Sequence, residues 1–318
     1  MRAYQLLSHD SAPALRDIPR PAPARGEVLI RIEACGLNFA DLLMAKGTYQ
    51  DMPAAPFTLG MEVCGTVVAL GDGVSRPATG TRVAVFGGHG GLADYGVFPA
   101  ARCRVLPPDM TTVQAAGFQV TYGTSHLALT RRARLQAGET LLVLGAAGGV
   151  GLTAVEIGKA MGATVIAVAR GSQKCAIAKA AGADHVLDAS ADITAEVKAL
   201  GRADVVYDPV GGAAFTAALR ATNPEGRIVT IGFASGDVPQ IAANHLLVKN
   251  IDILGFYWGG YLRFNPTALS DSLAELFDMF SAGRLHPHIS HILPLDQVGA
   301  AMDLLRSRKS TGKIVITP

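Results

Sequence analysis

The chain has 318 residues, enough for two domains of ordinary size. Apolar residues make up 49% of it and charged residues 17%, a balance typical of a globular protein and not of a disordered one. The formal net charge is only +2, so we expect no obligatory nucleic-acid partner.

The chain shows none of the usual marks of secretion or membrane insertion. Its first residues lack the sustained apolar core of a signal peptide, and runs such as ATVIAVA are too short to span a bilayer. The four cysteines lie far apart without a CxxC pair, which is typical of reduced thiols. A cytoplasmic protein without a membrane partner is therefore predicted.

Short alternating strands dominate the first third of the chain. In EVLIRIEAC, residues 27–35, the side chains of Val28, Ile30 and Ile32 fall on one face, which is the period-two pattern of a strand. CGTVVALGDG, GTRVAVFGG and LADYGVFPA repeat this pattern, each ending at a glycine or proline turn. The segment of residues 1–120 is therefore predicted to form a small all-β barrel.

From about Gly123 the pattern changes to strand, glycine turn and helix in alternation. ETLLVLG, TVIAVA, HVLD, DVVYD, RIVTIG and IDILG are apolar enough to be strands buried on both faces. Such alternation predicts the α/β class, with a Rossmann-type, doubly wound parallel sheet over residues 121–261. Residues 262–318 are expected to return to the first domain and complete it.

A glycine-rich turn joins the first of these strands to a helix in LLVLGAAGGVGLTAVEIGKAMGA, residues 141–163. Gly148 would let the backbone approach a pyrophosphate, and Gly151 would let the helix pack closely on the strand. The helix N-terminus would offer N–H groups to the phosphates. Ala146 replaces the first glycine of the usual GxGxxG pattern, and an ordinary tight turn remains the alternative. We predict a dinucleotide site here.

The end of the second strand distinguishes NADP from NAD. An NAD site usually has an acidic residue there for the ribose hydroxyls, but no acidic residue occurs between Glu156 and Asp184. The turn instead carries Arg170, Ser172 and Lys174, donors that suit a 2′-phosphate. Alternatively, these three residues bind no phosphate and are simply solvent-exposed residues at the start of a helix. The sequence favours NADPH.

Cys35, in ACGLNFAD, raises the question of a metal. A catalytic zinc needs three protein ligands in tetrahedral arrangement. Met61 stands beside Glu62 where a histidine ligand would be wanted, and the segment AAGFQVTYGT at the domain junction supplies no thiol. We therefore expect no metal site, and an inert, partly buried thiol at Cys35.

Several separated motifs now identify a resemblance: GLNFADLLMAKGTY, PFTLGMEVCGTV, FQVTYGT, GAAGGVGLTAVEIGKAMGA, DVVYDPVGG and STGKIVI. They resemble the medium-chain dehydrogenases/reductases, in the zinc-free NADPH:quinone oxidoreductase branch that includes zeta-crystallin. Zinc-containing members have Gly-His-Glu where this chain has Gly60, Met61 and Glu62. The resemblance implies a GroES-like barrel domain that carries the catalytic residues beside a Rossmann domain that binds NADPH.

The resemblance also implies roles for individual residues. In relatives, the positions matching Asn38 and Thr121 line the nicotinamide pocket, and the position matching Arg308 reaches the adenosine phosphate. Ala189 replaces a tyrosine found in some relatives, which weakens the expected 2′-phosphate site. The remaining residues assigned to cofactor binding are Ala147, Gly148, Gly149, Val150, Arg170, Ser172, Lys174, Val210, Gly232 and Phe233.

Without zinc as a Lewis acid, the substrate itself must disperse the charge that hydride addition creates. Quinones and α,β-unsaturated carbonyl compounds can do so. Tyr49, in KGTY, matches a tyrosine that donates a proton in enoyl-thioester reductases of the same superfamily, or it forms the pocket wall. Tyr49 and Asn38 are the candidate catalytic residues, and Asn38 is expected to orient a ligand more than to transfer protons.

These expectations favour an NADPH-dependent oxidoreductase that transfers hydride to a small-molecule quinone. The first alternative is reduction of an activated C=C bond in an alkenal, an enone or an acyl-CoA thioester. The second is a non-catalytic NADPH-binding protein of the crystallin or RNA-binding kind. The resemblance further implies a homodimer formed through the edge of the Rossmann sheet.

Overall fold

In the computed structural model, which describes residues 1–8 and 11–318, the chain divides into two compact units. The first unit comprises Met1–Val120 with His286–Pro318, and the second comprises Thr121–Leu285. Residues 262–285, which we expected to complete the first domain, lie in the second unit. They include a helix whose Ser272 Oγ lies 2.8 Å from Nδ1 of His126, a buried residue of the second unit.

The elements follow the predicted change from strands to alternating strands and helices. In chain order, those up to the unit boundary are β1 (Arg2–Leu6), β2 (Ala14–Asp17), β3 (Glu27–Gly36), α1 (Phe39–Ala45), β4 (Phe57–Thr58), β5 (Glu62–Leu70), β6 (Arg82–Phe86), β7 (Tyr95–Pro99), β8 (Cys103–Val105), α2 (Thr112–Ala116) and α3 (Gln119–Leu127). Those that follow are β9 (Thr140–Leu144), α4 (Gly149–Ala160), β10 (Thr164–Ala169), α5 (Ser172–Ala180), β11 (His185–Asp188), α6 (Ile193–Ala199), β12 (Ala203–Asp208), α7 (Gly212–Ala221), β13 (Thr222–Thr230), α8 (Ala243–Lys249), β14 (Asp252–Gly255), α9 (Tyr261–Phe264), α10 (Pro266–Ser281), β15 (Ile289–Pro294), α11 (Val298–Arg306) and β16 (Lys313–Thr317). Across residues 1–8 and 11–318, each helix falls short of the length or apolar character that crossing a bilayer requires.

The first unit is built on mainly antiparallel sheets. One has the strand order β15-β16-β3-β5-β6-β8, with β7 paired to β3, and the other has the order β2-β1-β4. The predicted strand is β3, in which Val28, Ile30 and Ile32 are buried as the alternation requires. Leu29, on the opposite face, is buried as well, so β3 is covered on both faces at this point.

The second unit is the predicted doubly wound domain. Its strands pair in parallel in the order β11-β10-β9-β12-β13-β14, so the prediction of a Rossmann-type sheet is confirmed. The chain runs outward from β9 in one direction and from β12 in the other. Ligands of such sheets bind at this reversal point, outside the carboxyl ends of the two strands.

Helix α1, in the first unit, begins at a buried carboxylate. Asp41 Oδ2 accepts a hydrogen bond from the backbone N–H of Asn38 at 2.8 Å, and Oδ1 accepts one from Gly60 at 3.2 Å. Burial raises the pKa of Asp41 to about 7, and the two N–H donors and the charge of Lys313 oppose that rise. Asp41 therefore joins the start of α1 to the turn before β5.

The titration of Asp41 predicts how stability depends on pH. Because its pKa is higher in the folded protein than in the unfolded chain, folding binds a proton at intermediate pH. Its contribution to stability is complete below about pH 4 and is lost as the pH rises toward 7. The Asp41→Asn variant should therefore show a smaller loss of urea midpoint between pH 5 and pH 8 than the wild type.

The amide of this variant accepts from only one of the two N–H groups, so its midpoint should be lower at pH 5. Asp188→Asn is the matched control. Asp188 is half-buried and its pKa is lowered, chiefly by the Ser190 hydroxyl, so its titration lies below this pH range. An Asp41→Asn profile parallel to that of the wild type would contradict the assignment.

Candidate active site

The glycine turn of the second unit has the geometry of a close strand-to-helix passage. Gly145 follows β9 with a φ of 60°, and Gly148 precedes α4. A Cβ atom at Gly151 would lie 2.3 Å from the carbonyl oxygen of Gly145, so only glycine fits there. The start of helix α4 thus packs directly against the backbone of Gly145. Gly148, Gly149 and Val150 lie at the positive end of the helix dipole.

Two loops beyond β12 and β13 lie at the same edge of the sheet. The N–H groups of Ala234 and Ser235 donate to the carbonyls of Pro209 and Val210 at 3.0 and 2.9 Å, which ties the loops together. A Cβ atom built on Gly145 would lie 2.9 Å from Val210 Cγ2, so Val210 reaches the glycine turn. The structure therefore brings together the predicted residues Ala147, Gly148, Gly149, Val150, Val210, Gly232 and Phe233 at one edge.

Asp208, the last residue of β12, anchors the first of these loops. Its Oδ1 accepts hydrogen bonds from the N–H groups of Val210 and Gly211 at 2.8 and 2.9 Å. Its Oδ2 is buried and has no partner within residues 1–8 and 11–318. Burial raises the pKa of this carboxyl, and the two N–H donors oppose the rise. Asp208 was not predicted as a site residue, although a carboxylate that ends an apolar strand was a signal.

Three hydroxyl groups fix the start of α4 from below. Ser125 Oγ, on α3, lies 2.9 Å from both the Val150 carbonyl and the Tyr207 hydroxyl, and 2.8 Å from Thr153 Oγ1. Thr153 Oγ1 also donates to the carbonyl of Thr121 at 3.0 Å. Val150 and Thr121, both predicted to contact the cofactor, are therefore held through a shared set of buried hydroxyls.

The cations predicted for the 2′-phosphate follow β10. Gly171, with a φ of 78°, turns the chain into α5, and its N–H donates to Asp188 Oδ2 at 2.7 Å. Arg170 and Ser172 are exposed on either side of this glycine, and Lys174 is half-buried on the first turn of α5. The structure thus places the three donors on one short turn.

In the first unit, the residues around Cys35 do not suit zinc. The Cys35 thiol is 1% exposed, and burial together with Asp41 and Glu62 raises its pKa well above the ordinary value. A thiol must lose its proton to bind a metal, and Met61 supplies no histidine beside it. The described residues, 1–8 and 11–318, contain no group of three His, Cys, Asp or Glu side chains placed to hold a metal ion.

A buried ion pair lies beside Asn38 and was not predicted. Lys313 Nζ, on β16, donates to Glu62 Oε1 at 2.7 Å, to Asn38 Oδ1 at 2.8 Å and to the Leu37 carbonyl at 2.7 Å. The side chains of Lys313 and Glu62 are 6% and 1% exposed. One sequence signal was available, because Glu62 and Lys313 are each the first residue, and the one charged residue, of a mainly apolar strand.

The remaining candidates of the first unit lie on loops. Tyr49 is half-buried in the loop after α1, and Arg308 is exposed in the turn after α11 with a φ of 56°. Asn38, at the start of α1, is 8% exposed. The candidate residues are thus divided, with Asn38, Tyr49 and Arg308 in the first unit and the others in the second.

Two family models match the chain. Residues 24–108 match the alcohol dehydrogenase GroES-like domain, and residues 149–277 match the model described as zinc-binding dehydrogenase. The first match confirms the predicted GroES-like domain. The residues around Cys35 do not fit the metal in the name of the second model.

Similar proteins and structures agree with these matches. The chain is 39% identical to quinone oxidoreductase-like protein 2 homolog of Nematostella vectensis, over 91% of this chain and 81% of that protein. It superposes on a mycobacterial protein solved with NADPH, with a TM-score of 0.93, 31% identity and complete coverage of both chains.

It also superposes on the quinone oxidoreductase of Thermus thermophilus, described with its NADPH complex, with a TM-score of 0.87, 33% identity and complete coverage of both chains. Fold, domain matches and identity over most of the chain agree with the resemblance drawn from the motifs. The chain belongs to the medium-chain dehydrogenases/reductases, in the quinone oxidoreductase-like branch.

Proposed function

We propose that the protein is an NADPH-dependent oxidoreductase that reduces quinones without a metal ion. The observation that carries the proposal is the glycine turn at the point where the strand order reverses. There the start of α4 offers backbone N–H groups to a pyrophosphate, and the tied loops after β12 and β13 flank it. When bound, NADPH would supply the hydride.

The preference for NADPH over NADH rests on the turn after β10. Arg170, Ser172 and Lys174 can donate to a 2′-phosphate, and β10 ends in Ala169, whose side chain cannot accept a hydrogen bond from a ribose hydroxyl. Two similar proteins were solved with NADPH. Arg308, in the first unit, is proposed as a further phosphate ligand.

A quinone is the proposed acceptor because the site offers no Lewis acid of its own. The donor set at Cys35 and Met61 is unsuited to zinc, so the developing negative charge must be dispersed within the substrate. Aromatisation of a quinone to a hydroquinone anion achieves this. An enone or an enoyl thioester also disperses the charge, and Tyr49 would then protonate the product.

The edge strand of the parallel sheet supports the proposal of a homodimer. β14 ends the strand order, and the adjacent α8 exposes Leu247 and Val248 at 78% and 76%. A strand that ends the sheet order, preceded in the chain by a helix with exposed aliphatic side chains, is suited to pairing with a second copy.

The dimer proposal predicts that the double variant Leu247→Asp, Val248→Asp is monomeric in sedimentation velocity while the wild type is dimeric. Like charges on both copies would repel each other at such a contact. Exposed Ile292, in the first unit, offers a control, because Ile292→Asp should leave the dimer intact. A dimeric double variant would place the interface elsewhere.

The acceptor is tested by NADPH oxidation with 1,4-benzoquinone, 2-cyclohexenone and crotonyl-CoA measured in parallel. We expect the benzoquinone rate to exceed the others and to be unchanged by 1,10-phenanthroline. A faster rate with either conjugated carbonyl compound would support C=C reduction. NADPH binding without turnover of any acceptor would identify a binding protein.

The same assays on Tyr49→Phe define the role of the hydroxyl. Loss of a general acid lowers turnover by about 10²-fold or more, so kcat for the enone and thioester should fall that far. The benzoquinone rate should change less, because its anion needs no protonation for release. Tyr95→Phe is the control, since the ring that Arg20 contacts is retained. If kcat falls only slightly and equally for all acceptors, Tyr49 does not donate a proton and only forms part of the pocket wall.

The cofactor preference is tested with Lys174→Ala. Losing a charge-assisted hydrogen bond to the 2′-phosphate should raise KM for NADPH by about 10- to 100-fold and leave KM for NADH nearly unchanged. Lys179, on the same helix, donates to the carbonyls of Ala183 and Asp184. Lys179→Ala should therefore affect both cofactors alike. The same result for Lys174→Ala would remove the phosphate assignment.

A further inference from the structure

The carboxylate of Asp188 lies beside the end of β10, where a site for NAD would carry an acidic residue. Asp188 is the last residue of β11, and in the parallel pairing of the two strands it lies opposite Ala169, the last residue of β10. The residues that follow β10 in sequence do not reveal it, because Asp188 reaches this place from the neighbouring strand. Its hydrogen bonds decide whether it can serve a ribose.

The protein itself takes up most of the hydrogen-bonding capacity of Asp188. Oδ2 accepts from the N–H of Gly171 at 2.7 Å, and Oδ1 accepts from both the N–H and the hydroxyl of Ser190, at 2.9 and 2.7 Å. A carboxylate has about four positions at which it accepts, so three of them are occupied. These bonds join the turn after β10 to the turn after β11.

Gly171 is the residue through which Asp188 reaches the turn of the predicted phosphate donors. It has a φ of 78° and a ψ of 157°, a conformation open almost only to glycine. Glycine also adopts many other conformations, so a bond is needed to select this one. Helix α5 has no side-chain cap at Gly171. The bond from its N–H to Asp188 therefore orients the residue at which the helix begins.

The orientation of Gly171 determines how its two neighbours are placed. Arg170 and Ser172 are exposed on either side of it, and rotation about the backbone bonds of Gly171 would turn one relative to the other. Hydrogen bonds from Ser190 and from the Gly171 N–H lower the pKa of Asp188, and the charge of Arg170 acts in the same direction. The carboxylate is thus ionised at neutral pH, and an ionised acceptor forms the stronger hydrogen bond.

The same carboxylate would repel a phosphate, so the two effects must be compared. Repulsion between exposed charges is screened over about 8 Å at physiological ionic strength. A hydrogen bond from a guanidinium or a hydroxyl to a phosphate contributes about 10- to 100-fold in affinity, and it is lost when the donor is displaced. The effect of Asp188 on the position of the donors therefore outweighs the repulsion.

We propose that Asp188 is a positioning residue of the 2′-phosphate site, and that it increases the preference for NADPH over NADH without contacting either cofactor. This inference rests on the proposed function. Asp188 acts through Gly171, whose bonded N–H fixes Arg170 and Ser172 for contact with the phosphate. A carboxylate bonded to the ribose would favour NADH, but this one is bonded to the protein.

The test measures the dissociation constants of NADPH and NADH by fluorescence titration, without an electron acceptor. The preference is the ratio of the NADH constant to the NADPH constant. Asp188→Ala removes the acceptor of the Gly171 N–H, so NADPH should bind about tenfold more weakly while NADH binding is unchanged. Asp188→Asn can still turn its one oxygen toward Gly171, so it should retain more of the preference than Asp188→Ala does.

Asp184→Ala is the matched control. Asp184 precedes β11 at its other end and joins the same two strands, since its Oδ2 accepts from the N–H of Val165, on β10, at 2.8 Å. This variant should lower the thermal midpoint and leave the preference unchanged, because Asp184 lies at the opposite end of the strands from Gly171.

Three results would overturn the positioning role. Tighter NADPH binding in both Asp188 variants would show that repulsion prevails. Weaker NADH binding in Asp188→Ala would show that the carboxylate bonds to the ribose or supports the fold alone. A wild type without any preference would have no phosphate site to position. Failure of the proposed function is distinct, since the wild type would then oxidise NADPH with none of the three acceptors while the ratio remained measurable.

Discussion

The relative position of three strands in the first unit depends on the buried ammonium group of Lys313, whose side chain is 6% exposed. Moving a lysine and a glutamate from water into the protein interior costs several kcal/mol for each ion, and their attraction offsets this only when every remaining donor and acceptor is satisfied. Lys313 meets that condition through three oxygens, and Glu62 through Lys313, Asn38 and the Val120 N–H. The ends of β3 and β5 and the start of β16 must therefore keep one relative position, because a small displacement would expose an uncompensated charge.

In the second unit, a glycine without a side chain fixes the relative position of helix α4 and strand β9. At Gly151 a Cβ atom would meet the Gly145 carbonyl, and the space saved lets α4 begin directly over the end of β9. Neutral hydroxyls then hold the helix start, with Ser125 bonded to the Val150 carbonyl and to Tyr207. Neutral hydroxyls add no charge at the start of α4. The helix dipole and the free N–H groups can therefore attract a phosphate there. The two units thus use charge in one case and close backbone approach in the other.

Much of the fold could be predicted because its signals are local. The alternation in β3, the apolar strands of the parallel sheet and the turn at Gly145 each occupy one short window of sequence. Asn38 was selected through resemblance, but its bonding could not be derived, since its partners on β5 and β16 depend on the pairing of distant strands. The sequence likewise did not indicate that the first unit resumes at His286 and not at residue 262. Helix α10 is amphipathic wherever it packs, and its place in the second unit follows from its packing in the folded chain, which includes the contact of Ser272 with His126.

The position of Lys313 near the end of the chain has a consequence for biosynthesis. The second unit is continuous, so all of its residues are synthesised before β16. The strand that carries Glu62 is synthesised about 250 residues before Lys313, the residue whose ammonium group pairs with its carboxylate. Burying the carboxylate before that point would leave its charge uncompensated, which is energetically costly. The first unit is thus completed only when β16 has been made and has paired with β3 across the intervening second unit.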